Sequence, residues 1–104
     1  MDSDVEVNRL VDLIGYQEGS IVSRIIMKGP TGNVTLFAFD VGQELSEHTT
    51  AHDALAHVID GEAEFTIAGK PYRARTGEAL TMPARQPHAV KAVSRFKMLL
   101  TMIR

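Results

Sequence analysis

Closely spaced turn signals constrain the fold of this chain more than any other feature of its sequence. Gly, Pro, Asn and Asp interrupt it roughly every six to twelve residues. The segments between them are short and rich in β-branched and aromatic residues. No segment keeps the apolar period of a helix. The pattern predicts about nine short strands and an all-β fold, an antiparallel sandwich or barrel.

The turns define the bounds of most of the predicted strands. These strands are residues 21–27, 34–39, 54–59, 62–67, 71–75, 79–82, 89–93 and 96–103. A dense turn signal from Lys28 to Asn33 separates the first two, so we expect them to form a hairpin. The last is apolar on both alternating faces, which predicts a central strand that is covered on both sides. Its outer face could also contact a second copy of the chain, and we therefore expect a homodimer.

The length of 104 residues predicts a single domain, residues 1–104. Within it, residues 21–104 are expected to form the barrel and residues 1–20 an N-terminal strand or an irregular segment. The stretch from Val11 to Ile14 is too short to decide between an edge strand and a single helical turn.

Charge and composition exclude several classes of function. With 11 basic and 13 acidic residues the formal charge is −2, so the chain has no excess of positive charge to bind the phosphates of nucleic acid. The absence of cysteine excludes disulfides, thiolate catalysis and thiolate metal sites. No apolar run reaches the length of a membrane span, and the acidic start is the reverse of a signal peptide. A cytoplasmic protein without a membrane or nucleic-acid partner is therefore expected.

The histidines are the candidate chemical groups. Three of the four, His48, His52 and His57, lie between Gly42 and Gly61, and the fourth is His88. A site for zinc, nickel, manganese or iron needs three or four imidazole or carboxylate ligands on adjacent strands. Two residues after His48, where a same-face ligand would stand, the chain has Thr50.

Each histidine also has a purely structural interpretation. His48 could be solvated at a strand end, His52 could lie at an exposed loop tip, and His57 could be a hydrogen-bonded core or interface residue. His88 follows a segment stiffened by Pro83 and Pro87, which favours a specific placement. No nucleophile or acid/base pair can be assigned from spacing, so the catalytic residues stay unknown.

Two motifs resemble those of the cupins. The set Gly42, His48, Thr50, Ala54 and Gly61 keeps the spacing of the first cupin motif. The set Gly77, Pro83, Arg85 and His88, within Met82 to His88, keeps that of the second. The resemblance spans Ile21 to Ile103 and implies a double-stranded β-helix, a jelly-roll barrel of two antiparallel sheets with a central pocket.

The resemblance implies four metal ligands, of which His48 and His88 are retained. Thr50 stands in place of the second histidine and Ala54 in place of the glutamate. His52 is the better candidate for a third ligand, because strict alternation from Ala54 turns His57 outward. We expect Thr50, Ala54, His57 and Met82 to be candidates for lining the pocket.

Two functions from different classes follow. The first is binding of a divalent metal (Zn, Ni, Mn or Fe) by His48, His88 and His52 together with a small organic molecule, with oxygenase or isomerase chemistry if the protein is an enzyme. The alternative is a non-catalytic module that binds or senses a small ligand without metal. A purely structural role is the third interpretation, and fold alone does not decide among them.

Overall fold

The computed structural model describes residues 5–104. Its regular structure consists of β-strands and one 3₁₀ turn. In chain order the strands are β1 (Ile21–Gly29), β2 (Gly32–Phe39), β3 (Glu44–His48), β4 (Asp53–Asp60), β5 (Glu62–Ile67), β6 (Lys70–Arg75), β7 (Ala79–Met82), β8 (His88–Ala92) and β9 (Phe96–Ile103). Every predicted strand is present, and β3 is a further strand that ends at His48.

The strands form two antiparallel sheets that face each other across the core. The five-stranded sheet has the order β1-β2-β9-β4-β7, and the four-stranded sheet has the order β3-β8-β5-β6. From β2 onward the chain repeatedly crosses between the two sheets, which is the topology of a jelly-roll barrel. The predicted all-β, antiparallel double-stranded β-helix is confirmed.

The hairpin and the central strand are also as predicted. β1 pairs with β2 around the turn that joins Gly29 to Gly32. β9 lies between β2 and β4, and its inner face carries fully buried Phe96. The Phe96 ring lies 4.6 Å from that of Phe39 and 6.4 Å from that of Phe65, measured between centroids. These rings join the two sheets at the centre of the core.

The N-terminal segment contains the single helical turn. The 3₁₀ turn spans Leu10–Asp12. Of the two alternatives for the stretch from Val11 to Ile14, the chain therefore adopts the helical turn and not the edge strand. The part of the N-terminal prediction that covers residues 1–4 lies outside the described residues. Within residues 5–104, no helix is long and apolar enough to cross a membrane.

This segment covers the outer face of the five-stranded sheet. Ile14 is buried against Leu36 and Ala38, and Leu99 of β9 packs against the same cluster. The Lys97 ammonium donates a hydrogen bond of 2.6 Å to the carbonyl of Val11. The N-terminal segment therefore covers much of the outer face of β9. This is the face on which the sequence predicted a possible contact with a second copy of the chain.

Candidate functional site

His48 and His88 occupy opposite positions on neighbouring antiparallel strands. His48 ends β3, His88 begins β8, and the register pairs them directly. A bulge between Leu45 and His48 sets this pairing. Val90, two residues after His88 and therefore on the same face, is buried in the core, so both histidines lie on the inner face of the sheet. Their ring centroids are 4.3 Å apart, with an interplanar angle of 66°.

A backbone carbonyl two residues earlier in the chain orients each ring. His48 Nδ1 lies 2.7 Å from the carbonyl oxygen of Ser46, and His88 Nδ1 lies 3.2 Å from that of Gln86. A carbonyl oxygen can only accept a hydrogen bond, so each Nδ1 carries the proton and donates it. In the neutral rings, both Nε2 atoms therefore keep their lone pairs. The site presents two acceptor nitrogens side by side.

His88 is the more buried member of the pair. It is 8% exposed, whereas His48 is exposed. Burial lowers the pKa of His88, the hydrogen bond to the Gln86 carbonyl opposes this effect, and the nearby His48 lowers the pKa further. The neutral form of His88, which is the form that binds a metal ion or accepts a proton, is thereby favoured.

We call the end of the barrel that holds these rings the histidine end. It is formed by the β3–β4 loop (49–52), the β5–β6 turn (68–69) and the β7–β8 loop (83–87). Its inner walls are apolar. Ile67 pairs with His88 within the four-stranded sheet, and in the facing sheet Ala54 lies between its strand partners Met82 and Met102. These wall positions supply no carboxylate to the imidazole pair.

The other candidate residues have different surroundings. The Thr50 hydroxyl donates to the His52 carbonyl and accepts from the His52 N–H, at 3.0 Å in each case, which closes the β3–β4 loop. His52 Nε2 accepts a hydrogen bond of 3.2 Å from Arg104 Nε. His57 is half-buried on the outer face of β4, opposite Leu99. The structure thus brings together His48 and His88, leaves His52 hydrogen bonded elsewhere and places His57 on the other side of its sheet.

The donor set of the pair fits part of a metal coordination sphere. Within residues 5–104, no three or more His, Cys, Asp or Glu side chains are grouped so that they could hold a metal ion. The two imidazoles nevertheless have the usual arrangement of metal ligands, in which the N–H that faces away from the metal donates to a carbonyl. A metal bound here would have two protein ligands, and its other positions would be open to solvent or to a bound molecule.

Surface grooves lie close to the histidine end. A groove of about 570 Å³ is lined by Leu55, Ile67, Tyr72, Ala79, Leu80, Thr81 and Pro83. A second, of about 400 Å³, is lined by Asp53, Ala54, Leu55, Thr81, Met82, Pro83, Thr101 and Ile103. Neither is lined by an imidazole of the pair, but Ile67 connects the first groove to His88 through the β5–β8 pairing.

The sequence does not identify the residues that fix the tautomers. Ser46 and Gln86 act through backbone carbonyls, so their side chains carry no signal. The one available signal is spacing, because each precedes a histidine by two residues.

Two antiparallel sheets between which the chain alternates, with histidines on the inner face at one end, define a small double-stranded β-helix protein. The family model described as the cupin domain matches residues 35–104. The chain therefore belongs to the cupin domain family. No curated protein matches the chain.

Solved structures of similar proteins support this membership. A conserved Streptococcus pyogenes protein of unknown function is 32% identical, with 99% of this chain and 90% of that protein covered and a TM-score of 0.93. A cupin 2 conserved barrel domain protein from Leptotrichia buccalis is 38% identical, with a TM-score of 0.88. That alignment covers 90% of this chain and 46% of the Leptotrichia protein. A cupin superfamily protein from Desulfitobacterium hafniense is 27% identical over 97% of this chain and 95% of its own, with a TM-score of 0.89.

Proposed function

We propose that His48 and His88 bind a divalent metal ion together with a small organic molecule that completes its coordination. The observation that supports this proposal is the pair of neighbouring imidazoles whose Nδ1 protons are both held by carbonyls. Zinc, nickel, manganese and iron(II) all accept imidazole ligands. The metal, when bound, would supply Lewis-acid chemistry of the kind used by metal-dependent isomerases and oxygenases.

The surroundings of the pair support binding of a small molecule. Two protein ligands leave several coordination positions to be filled by the small molecule and by water, and an open position is what separates catalytic from structural metal sites. The apolar walls at Ile67, Ala54 and Met82 restrict water on the inner side. His48 is exposed, which leaves a route into the site from solvent.

A second candidate function is binding of a small ligand without metal. The two Nε2 atoms are acceptors, and both Nδ1 protons are already used. A ligand that binds the neutral pair directly must therefore donate hydrogen bonds, as a hydroxyl, amide or protonated acid does. This chemistry corresponds to a sensing or storage module rather than a metalloenzyme.

Titration of chelator-treated protein with zinc, which is diamagnetic, separates the two candidates. Imidazole proton NMR follows all four histidines at once, so His57 on the outer face of β4 is an internal control. We expect one ion per chain and changes confined to the resonances of His48 and His88. His52 should change only if it leaves its hydrogen bond with Arg104 and becomes a third ligand. Unchanged His48 and His88 resonances at excess metal would reject the metal proposal.

We also propose that the chain forms a homodimer through strand β1. β1 is an edge strand of the five-stranded sheet, and Ile25, Ile26 and Met27 on it are 59%, 39% and 65% exposed. An edge strand that exposes apolar side chains tends to pair with another strand.

We expect sedimentation to show that the wild-type chain is a dimer. The double variant Ile25→Lys, Met27→Lys should be a monomer, because charges on an edge strand oppose pairing. Tyr72→Lys is the control, since Tyr72 is 47% exposed on β6, the edge of the other sheet. A wild-type chain that stays monomeric at high concentration would contradict this proposal.

A further inference from the structure

Two backbone N–H groups attach the β7–β8 loop to the end of the chain segment that joins β3 to β4. The Arg85 N–H donates a hydrogen bond of 2.7 Å to the Thr50 carbonyl. The Ala84 N–H donates one of 2.8 Å to Oδ1 of Asp53, the first residue of β4. The bond from Arg85 joins backbone atoms alone, so Asp53 supplies the side-chain part of this attachment.

The attached segment is a tight turn that contains a strained residue. The Gln86 N–H donates a hydrogen bond of 3.3 Å to the Pro83 carbonyl, which closes a β-turn over residues 83–86. The third residue of this turn, Arg85, has a φ of +65°, in the left-handed region that favours glycine. Such a conformation persists only where the surrounding structure holds it. The bonds from Ala84 and Arg85 provide this support.

The turn directs one carbonyl group at the buried histidine of the site. The carbonyl oxygen of Gln86, the last residue of the turn, lies 3.2 Å from His88 Nδ1. On the other side of this carbonyl, the Ala68 N–H donates a hydrogen bond of 2.8 Å to the Pro87 carbonyl and so holds the following residue. A carbonyl oxygen only accepts hydrogen bonds, so its position decides which ring nitrogen of His88 carries the proton.

We propose that Asp53 is a positioning residue for the histidine site. By holding the turn at Ala84, its carboxylate keeps the Gln86 carbonyl on His88 Nδ1 and thereby leaves the lone pair of His88 Nε2 available. Asp53 thus acts on the ring through the β7–β8 loop. This inference rests on the proposed function, because both candidate functions use the lone pair of His88 Nε2.

The size of the effect follows from the hydrogen bond that Asp53 accepts. The same chemistry occurs at helix N-termini, where loss of a side-chain oxygen that accepts a backbone N–H changes the equilibrium about fivefold. We therefore expect Asp53→Ala to lower the ratio of the Nδ1–H to the Nε2–H tautomer of His88 about fivefold. The bond of 3.2 Å between His88 Nδ1 and the Gln86 carbonyl is long, which keeps this ratio within the range that NMR can measure.

Nitrogen NMR of the isotope-labelled, metal-free chain tests the proposal. At about pH 8, where histidine is neutral, the resonances of the two ring nitrogens report which of them carries the proton. In the wild-type chain we expect the proton of His88 on Nδ1. In Asp53→Ala, the Nδ1 resonance of His88 should move toward the unprotonated position and the Nε2 resonance toward the protonated one. His57, on the outer face of β4, is the reference in the same spectrum.

Two further variants separate positioning from changes in charge or stability. Asp53→Asn keeps an oxygen acceptor and removes the charge, so the His88 resonances should stay as in the wild-type chain. Glu78→Ala removes a carboxylate that accepts the Arg75 N–H at 2.8 Å, at the opposite end of the barrel. It deletes the same kind of hydrogen bond as Asp53→Ala, and it should leave the His88 tautomer unchanged.

The outcomes distinguish this inference from the proposed function. An unchanged His88 tautomer in Asp53→Ala would overturn the positioning role of Asp53, whatever the result of the zinc titration. An equal change in Glu78→Ala or in Asp53→Asn would overturn it as well, as would an unprotonated Nδ1 in the wild-type chain. If zinc fails to bind while the tautomer shifts as expected, the metal function is rejected and the positioning role of Asp53 is supported.

Discussion

His48→Ala and His88→Ala are each expected to lower the affinity for zinc or nickel by about 100-fold or more. The site has two protein ligands, so either substitution leaves a single imidazole, which holds a metal ion only weakly. Loss of a group that merely orients a ligand already costs 10- to 100-fold in many sites. Calorimetric titration of chelator-treated variants measures the change directly.

The double variant is expected to lose far less affinity than the sum of the two single losses, because each single substitution already removes the two-point chelation. Residues that act as a unit are strongly non-additive, because the first substitution already destroys the site. His57→Ala is the matched control, since it removes an imidazole from the outer face of β4. Thermal melting of each variant checks the fold, which matters most for the buried His88. Additive losses at the two positions, or a comparable loss in His57→Ala, would contradict a shared site.

The fold was predictable because its strong signals are local. The apolar run from Phe96 to Ile103 predicts a central strand, and β9 is central. In β5, alternating polar and apolar residues match alternating partly and fully buried positions. The limits of β3 were harder to predict, because Glu44–His48 is polar and mostly exposed, and only Leu45 packs against the core. The place of β3 in the sheet depends on backbone pairing with β8, which leaves little pattern in the sequence of side chains.

The site was predictable only in part. Motif spacing identifies His48 and His88 together, and alternation along β4 predicts that His57 faces outward while Ala54, Ala56 and Val58 face inward, as their burial shows. Sequence could not supply the tautomers, which depend on carbonyls, or the partner of His52, which is a residue at the far end of the chain. It also could not reveal the left-handed backbone of Arg85, since nothing in that residue type indicates a positive φ.

Gly61→Ala is expected to destabilise the barrel by at least about 3 kcal/mol, the largest single effect on folding that we predict. Gly61 forms the turn between β4 and β5 with φ +81°, and an added Cβ would lie 2.0 Å from the carbonyl oxygen of Arg95. It would also lie 2.9 Å from the Cα of Phe96. Because Phe96 is fully buried against Phe39, the backbone at this point cannot move away without disturbing the core.

Gly69→Ala separates the two causes of this loss. Gly69 has nearly the same φ, +83°, in the β5–β6 turn, but a Cβ added there would have no neighbouring atom within 4 Å. The Gly69→Ala variant should therefore lose only about 1 kcal/mol of stability, which is the cost of placing alanine in the left-handed conformation. Urea unfolding of both variants measures the difference, which isolates the steric contact with Arg95 and Phe96. Equal losses at the two glycines would show that conformation alone matters and that the turn at Gly61 has room to adjust.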